Sequence, residues 1–195
     1  MMAALTVVLA VVTVESPEHD WRDADRHYAL AQVEYAAEWW EARHPTGGLA
    51  IIVHDLGAVA IPYEPSEMAI ADQLVWVGTA MPEMDATLAG LREGYDTDAA
   101  YAVLIVAGAP ADWTGLACVG GPHTVIGYGR DPGALASLLV HEIGHLLGAR
   151  DRAHTGCIMG PDSLTAMHLD LVSDETAREL GWPVPARAYV PIVWR

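Results

Sequence analysis

His141-Glu142-Ile143-Gly144-His145-Leu146-Leu147-Gly148-Ala149-Arg150-Asp151 has the form HExxHxxGxxD. Residues four apart on a helix lie one turn above one another, so the spacing predicts that His141 and His145 offer two imidazole nitrogens to one tetrahedral Zn²⁺. Glu142 is placed to take a proton from a water molecule on that metal. Gly148 can adopt the left-handed conformation that ends a helix, and the turn it allows would return Asp151 as a third ligand, leaving a fourth position open. His154 lies three residues further on and is the rival for that place, with Asp151 then orienting an imidazole from behind.

The surrounding residues suit a catalytic helix. Asp131-Pro132-Gly133 is a start signal, Ala134 to Leu147 is a run of good helix formers, and Leu135, Leu138, Leu139, Ile143, Leu146 and Leu147 supply its packing face. Two histidines buried on an apolar helix would be the plain structural alternative, but the added Gly148, Asp151 and a methionine shortly after make the metal reading the better one.

With these residues the chain resembles the metzincin clan of zinc endopeptidases, whose long motif continues to a histidine or aspartate and then a methionine-containing turn. Cys157-Ile158-Met159-Gly160-Pro161 is similar to the adamalysin (reprolysin) version of that turn. Asp151 is similar to the snapalysin group, since most adamalysins carry histidine there. The resemblance implies Zn²⁺ as cofactor, Glu142 as general base, and Met159 as a support beneath the metal that does not ligate it. It also implies that Leu116, Ala117, Cys118 and Val119, within Asp112 to Gly120, form an antiparallel edge strand whose backbone pairs with an extended peptide. Gly160 to Asp170 would line a substrate pocket.

The expected architecture is α/β, with a mostly parallel twisted sheet, one antiparallel edge strand, long helices including the active-site helix, and a small C-terminal subdomain. Leu5 to Val14 is continuously apolar and rich in β-branched residues, as a strand covered on both faces would be. The whole apolar stretch Met1 to Val14 lacks the positive start and cleavage pattern of a signal peptide and is too short to span a bilayer. Asp23 to Arg43 reads as a long helix with Tyr28, Leu30, Val33, Ala37 and Trp40 inward. Leu49 to His54 reads as a second buried strand and Gln73 to Val77 as a third. Glu83 to Arg92 reads as a helix opened by Pro82, Tyr101 to Val106 as a fourth strand, and Glu175 to Leu180 as a last helix capped by Ser173. Strands alternating with helices imply a largely parallel sheet.

At 195 residues and 52% hydrophobic content the chain suits one domain with a full core. We expect an upper part, 1–148, that carries the helix and a lower part, 149–195, that carries the methionine turn. There are 26 acidic and 10 basic residues, a formal charge of −16, which argues against nucleic acid and anionic membranes as partners. The expected partner is a peptide or protein substrate, with the chain a monomer, and the resemblance favours an extracellular setting. Cys118 and Cys157 allow one disulfide tying the edge segment to the methionine turn, or a buried thiol at Cys157. The remaining histidines, His19, His27, His44, His54, His123 and His168, have no ligand spacing, although His123 could approach the cleft. The function these readings favour is zinc-dependent endopeptidase. The alternative is a catalytically silent domain that uses the same fold to bind peptides, against which the intact Glu142 argues.

Overall fold

The computed structural model describes residues 5–65, 78–109, 115–128, 132–153, 157–160 and 172–183. The expected strand at Gln73–Val77, the start signal at Asp131, residues Asp112–Thr114, His154, His168 and 161–170 fall outside them.

The five strands are β1 (Leu5–Glu15), β2 (Leu49–Ala60), β3 (Ala99–Ala107), β4 (Gly115–Ala117) and β5 (His123–Tyr128). They form one sheet in the order β2-β1-β3-β5-β4. The first four in that order run parallel, and β4 pairs antiparallel with β5 at the edge. The fold is therefore mixed α/β with a mostly parallel sheet and one antiparallel pair. Helices α1 (Asp23–Arg43), α2 (Met84–Gly94), α3 (Pro132–Leu147) and α4 (Asp174–Glu179) complete the described elements. None of these helices is long and apolar enough to cross a membrane.

Strand alternation divides the core into two layers. Val7, Leu9, Val11, Val103, Ile105 and Ile126 face one side, where α1, α3 and the segment Cys157–Met159 pack. Ala10, Val12, Val14, Leu104, Val106 and Val125 face the other, with Leu88 of α2 and Met81. β1 is buried nearly end to end because it has a strand on each side and helices on both faces. β2 differs from its expectation: it extends to Ala60 and is only partly buried, since it occupies the far edge of the sheet. Its pairing with β1 slips between Val11 and Val12, where Gly57 at φ +94° accommodates a bulge.

Helix α1 spans the expected residues, but its buried face is Ala29, Val33, Ala36, Ala37, Trp39 and Trp40. Tyr28 and Leu30 are only half-buried. β5 was not anticipated from the sequence. It brings α3 back across the same face as α1, which sets the position of the histidines.

Candidate metal centre

Helix α3 is apolar around most of its circumference, and Leu139, Ile143 and Leu146 are fully buried. This burial fixes the helix's rotation and turns His141, Glu142 and His145 away from the apolar core, with the two histidines against Ala149 and Ile158 of the chain that follows the helix. All three are buried, at 7%, 5% and 6% exposure. The helix ends as its glycine demands. Gly148 has φ +109°. Gly148 N–H donates to His145 O at 3.0 Å and Ala149 N–H to Gly144 O at 2.9 Å, the paired bonds of a Schellman cap. The chain then reverses and carries Asp151 over the histidine rings.

His141 Nε2 and His145 Nε2 are 3.2 Å apart. Asp151 Oδ1 lies 3.2 Å from the first and 3.3 Å from the second. These three residues form a group able to hold a metal ion. Zinc bonds of about 2.0–2.1 Å at tetrahedral angles require ligand atoms about 3.3–3.4 Å apart. The near-equilateral triangle therefore has the dimensions of one face of a zinc tetrahedron.

The other nitrogen of each ring is already committed. His141 Nδ1 donates to Ile158 O at 2.9 Å, and His145 Nδ1 donates to Ala149 O at 2.9 Å. With the protons on Nδ1, each Nε2 presents a lone pair. Two lone pairs and a carboxylate oxygen then converge on one point, an arrangement that repels itself unless a cation stands there. Burial holds the His141 pKa below its ordinary value, with the neighbouring His145 pushing the same way. These outweigh the Ile158 carbonyl and the Asp151 carboxylate, which raise it. The ring is thus neutral and able to ligate at neutral pH. Asp151 is 75% exposed, so the triangle is open on its side.

Glu142 occupies the neighbouring position. Burial, and secondarily the charge of Asp151, push its pKa up to about 8. Its Oε2 is buried with no hydrogen-bond partner among the described residues. The carboxyl lies against Gly115 of β4, where a Cβ would stand 2.7 Å from Glu142 Oε1 and 2.8 Å from its Cγ. A buried, unpartnered acid beside a cation-seeking triangle has the placement of a proton-transfer group.

Beneath the histidines, Gly160 N–H donates to Cys157 O at 2.9 Å, closing a tight turn that holds Ile158 and Met159. Met159 is fully buried. A Cβ at Gly144 would fall 2.7 Å from Met159 Sδ and 2.7 Å from Trp40 Cζ2. Trp40 Nε1 donates to Val140 O at 2.8 Å. The methionine and the tryptophan therefore wedge together under the helical turn that carries both histidines.

The structure brings His141, Glu142, His145, Asp151 and Met159 into one locus. Leu116 and Ala117 lie in the antiparallel edge strand, with Cys118 and Val119 in the turn that follows. Gly120 N–H donates to His145 O at 2.8 Å, tying that turn to the helix. Cys118 is exposed and Cys157 is buried, and the two are thiols, not a disulfide. His123 does not reach the site. It shares the strand face of Val125, which packs in the layer of α2, and Asp85 of α2 is the charge acting on it. Sequence reasoning placed Trp40 inward without its part at this site, and missed the parts of Gly115, Gly144 and the two accepting carbonyls. A glycine facing Glu142 or Met159 was the only one of these with a local signal, and its meaning depends on the partner.

No protein-family model matches the chain, and no curated protein does. Among solved structures, a chain in the structure of a chaperone–substrate complex is similar at 15% identity with a TM-score of 0.49. The likeness covers 80% of this chain and 28% of that one. Archaemetzincin from Methanopyrus kandleri is similar at 18% identity with a TM-score of 0.47, covering 90% of this chain and 93% of that one.

Proposed function

We propose that the chain is a zinc-dependent endopeptidase of metzincin type, forming one catalytic domain with a peptide or protein as substrate. The observation that carries this reading is the triangle of His141 Nε2, His145 Nε2 and Asp151 Oδ1 with the carboxyl of Glu142 beside it. His141, His145 and Asp151 would hold the ion. Zinc bound there supplies a Lewis acid that activates water and polarises the scissile carbonyl.

The chain's own residues do the rest. Glu142 accepts a proton from the attacking water and later delivers it to the nitrogen of the departing amine. Its burial raises its pKa in the metal-free fold to about 8, and a cation bound beside it would favour the ionised form that accepts the proton. The carbonyls of Ile158 and Ala149 hold the two rings in the tautomer that ligates. Met159 supports the floor without ligating. β4 lies at the end of the sheet order, paired only with β5 among the described residues. Its outer edge at Gly115–Ala117, short of the Cys118–Val119 turn, would pair with an extended substrate through main-chain hydrogen bonds beside Glu142.

The test is digestion of a peptide library by protein loaded with one equivalent of Zn²⁺, beside Glu142→Ala and a chelated sample. Cleavage that disappears in both controls supports the reading. A wild-type protein that binds one zinc and cuts nothing would overturn it in favour of a silent peptide-binding domain.

A further inference from the structure

Asp151 presents a difficulty for a metal ligand: it is 75% exposed, on a segment outside any helix or strand. An exposed carboxylate on an irregular segment should sample many positions, which would weaken a three-ligand site. Yet both of its neighbours are restrained from one place. The backbone N–H of Arg150 donates to Glu179 Oε2 at 3.1 Å, and Arg152 Nη2 donates to the same oxygen at 2.5 Å. The Arg152 guanidinium also donates through Nε to Thr176 Oγ1 at 3.3 Å, and Arg152 N–H donates to Met159 O at 2.7 Å. Thr176 is fully buried. The side chains of Arg152 and Glu179 are 13% and 28% exposed, so the clamp is partly shielded from solvent, and Arg152 Nη1 also lies 3.7 Å from Glu175 Oε2.

We propose that Glu179 of α4 is a positioning residue for the third metal ligand. It grips the chain on both sides of Asp151 and aims that carboxylate at His141 and His145. One acceptor oxygen fixes a backbone amide before Asp151 and a side chain after it, so the residue between them loses most of its freedom to swing away. The helix that supplies Glu179 is held in turn by Ser173, whose side chain accepts from Thr176 N–H at 3.1 Å. This inference rests on Asp151 as a ligand, and its test separates the two claims.

Zinc affinity is measured by competition with a chromophoric chelator for wild type, Glu179→Ala, Glu179→Gln, Asp151→Ala and the double variant Asp151→Ala/Glu179→Ala. Metal-free circular dichroism shows that each variant is folded. Removing an outer support of a ligand weakens metal binding roughly tenfold or more, and that loss is expected for Glu179→Ala. Glu179→Gln keeps an acceptor for Arg150 N–H and should lose less. In the Asp151→Ala background, removing Glu179 should cost almost nothing further, a result that general destabilisation does not produce. Equal losses in both backgrounds, or no loss in Glu179→Ala when Asp151→Ala weakens binding, overturn the positioning role. If Asp151→Ala itself leaves affinity unchanged, the ligand assignment falls, and the positioning role with it.

Discussion

Gly115 and Glu142 are in contact across the gap between the edge strand and helix α3, so closely that any side chain on the strand residue would have to push the Glu142 side chain aside. A methyl group at Gly115 would stand 2.7 Å from Glu142 Oε1 and 2.9 Å from its Cδ. The backbone of Gly115 is not in the left-handed region, so the glycine is there for space and not for its torsion angles. Gly115→Ala is therefore expected to displace the Glu142 carboxyl while leaving His141, His145 and Asp151 in place. Steady-state kinetics should show kcat reduced by roughly tenfold or more, as a misplaced acid–base group gives, with zinc affinity unchanged. An unchanged kcat would mean that the Glu142 carboxyl moves aside without consequence.

Gly144 makes the opposite prediction to its helix propensity. An interior helical Gly→Ala exchange ordinarily stabilises by about 0.5–1 kcal/mol. Here the new methyl would meet Met159 Sδ and Trp40 Cζ2, each at 2.7 Å, inside a fully buried cluster. Overpacking of this kind costs about 1–3 kcal/mol, so Gly144→Ala should lower stability by roughly 1–2 kcal/mol. Urea denaturation of the metal-free protein measures it, and a stabilised variant would show that the Trp40–Met159 wedge yields freely.

The parts of this site that the sequence discloses are those whose spacing is local. His141 and His145 are one helical turn apart, and Gly148 follows at the place where a cap must form, so the candidate metal-binding pair, the glutamate beside it and the helix end could be read together. The end of helix α1 was legible because His44-Pro45 and Gly47-Gly48 stop it locally too. β5 was not, because its run of β-formers, Thr124-Val125-Ile126, is short and interrupted by Gly127, and the segment becomes a strand through its pairing with β3. The exposure of β2 follows from its place at the sheet edge, which is a tertiary property. The supports of the metal site are least legible of all. Ile158 O and Ala149 O are main-chain atoms with no residue signature, and Glu179 meets Arg150 from 29 positions away.

The cap after α3 predicts a coupled loss of stability and metal binding. Gly148 at φ +109° occupies a conformation that costs an L-residue about 1–2 kcal/mol. Gly148→Ala should lower the stability of the metal-free protein by about that amount. Because the turn also delivers Asp151, zinc affinity should fall in the same variant, measured by the chelator competition. A stability loss with unaltered affinity would mean that the Arg150–Arg152 segment is held by its other contacts alone.

The Glu142 carboxyl gives the metal-free protein a distinctive pH dependence. Its pKa is pushed from the ordinary 4.5 to about 8 by burial and then by Asp151. Between those values the folded chain keeps a proton that the unfolded chain has released, so stability falls as pH rises through that window. The slope contributed is at most about 1.4 kcal/mol per pH unit, and the total by the alkaline end is on the order of 5 kcal/mol. His141 acts in the other direction: its pKa is lowered by burial, so its contribution is lost as pH falls below the ordinary 6.5. Comparison with Glu142→Gln isolates the first effect. In chelator, the variant should gain on wild type steadily from pH 5 to pH 8, read as a widening gap in urea midpoints. Zinc favours the ionised carboxylate nearby, so the gap should shrink when the metal is restored. A gap that is constant with pH in the chelated protein would show that Glu142 is ionised in the fold at an ordinary pKa, with water at its buried oxygen.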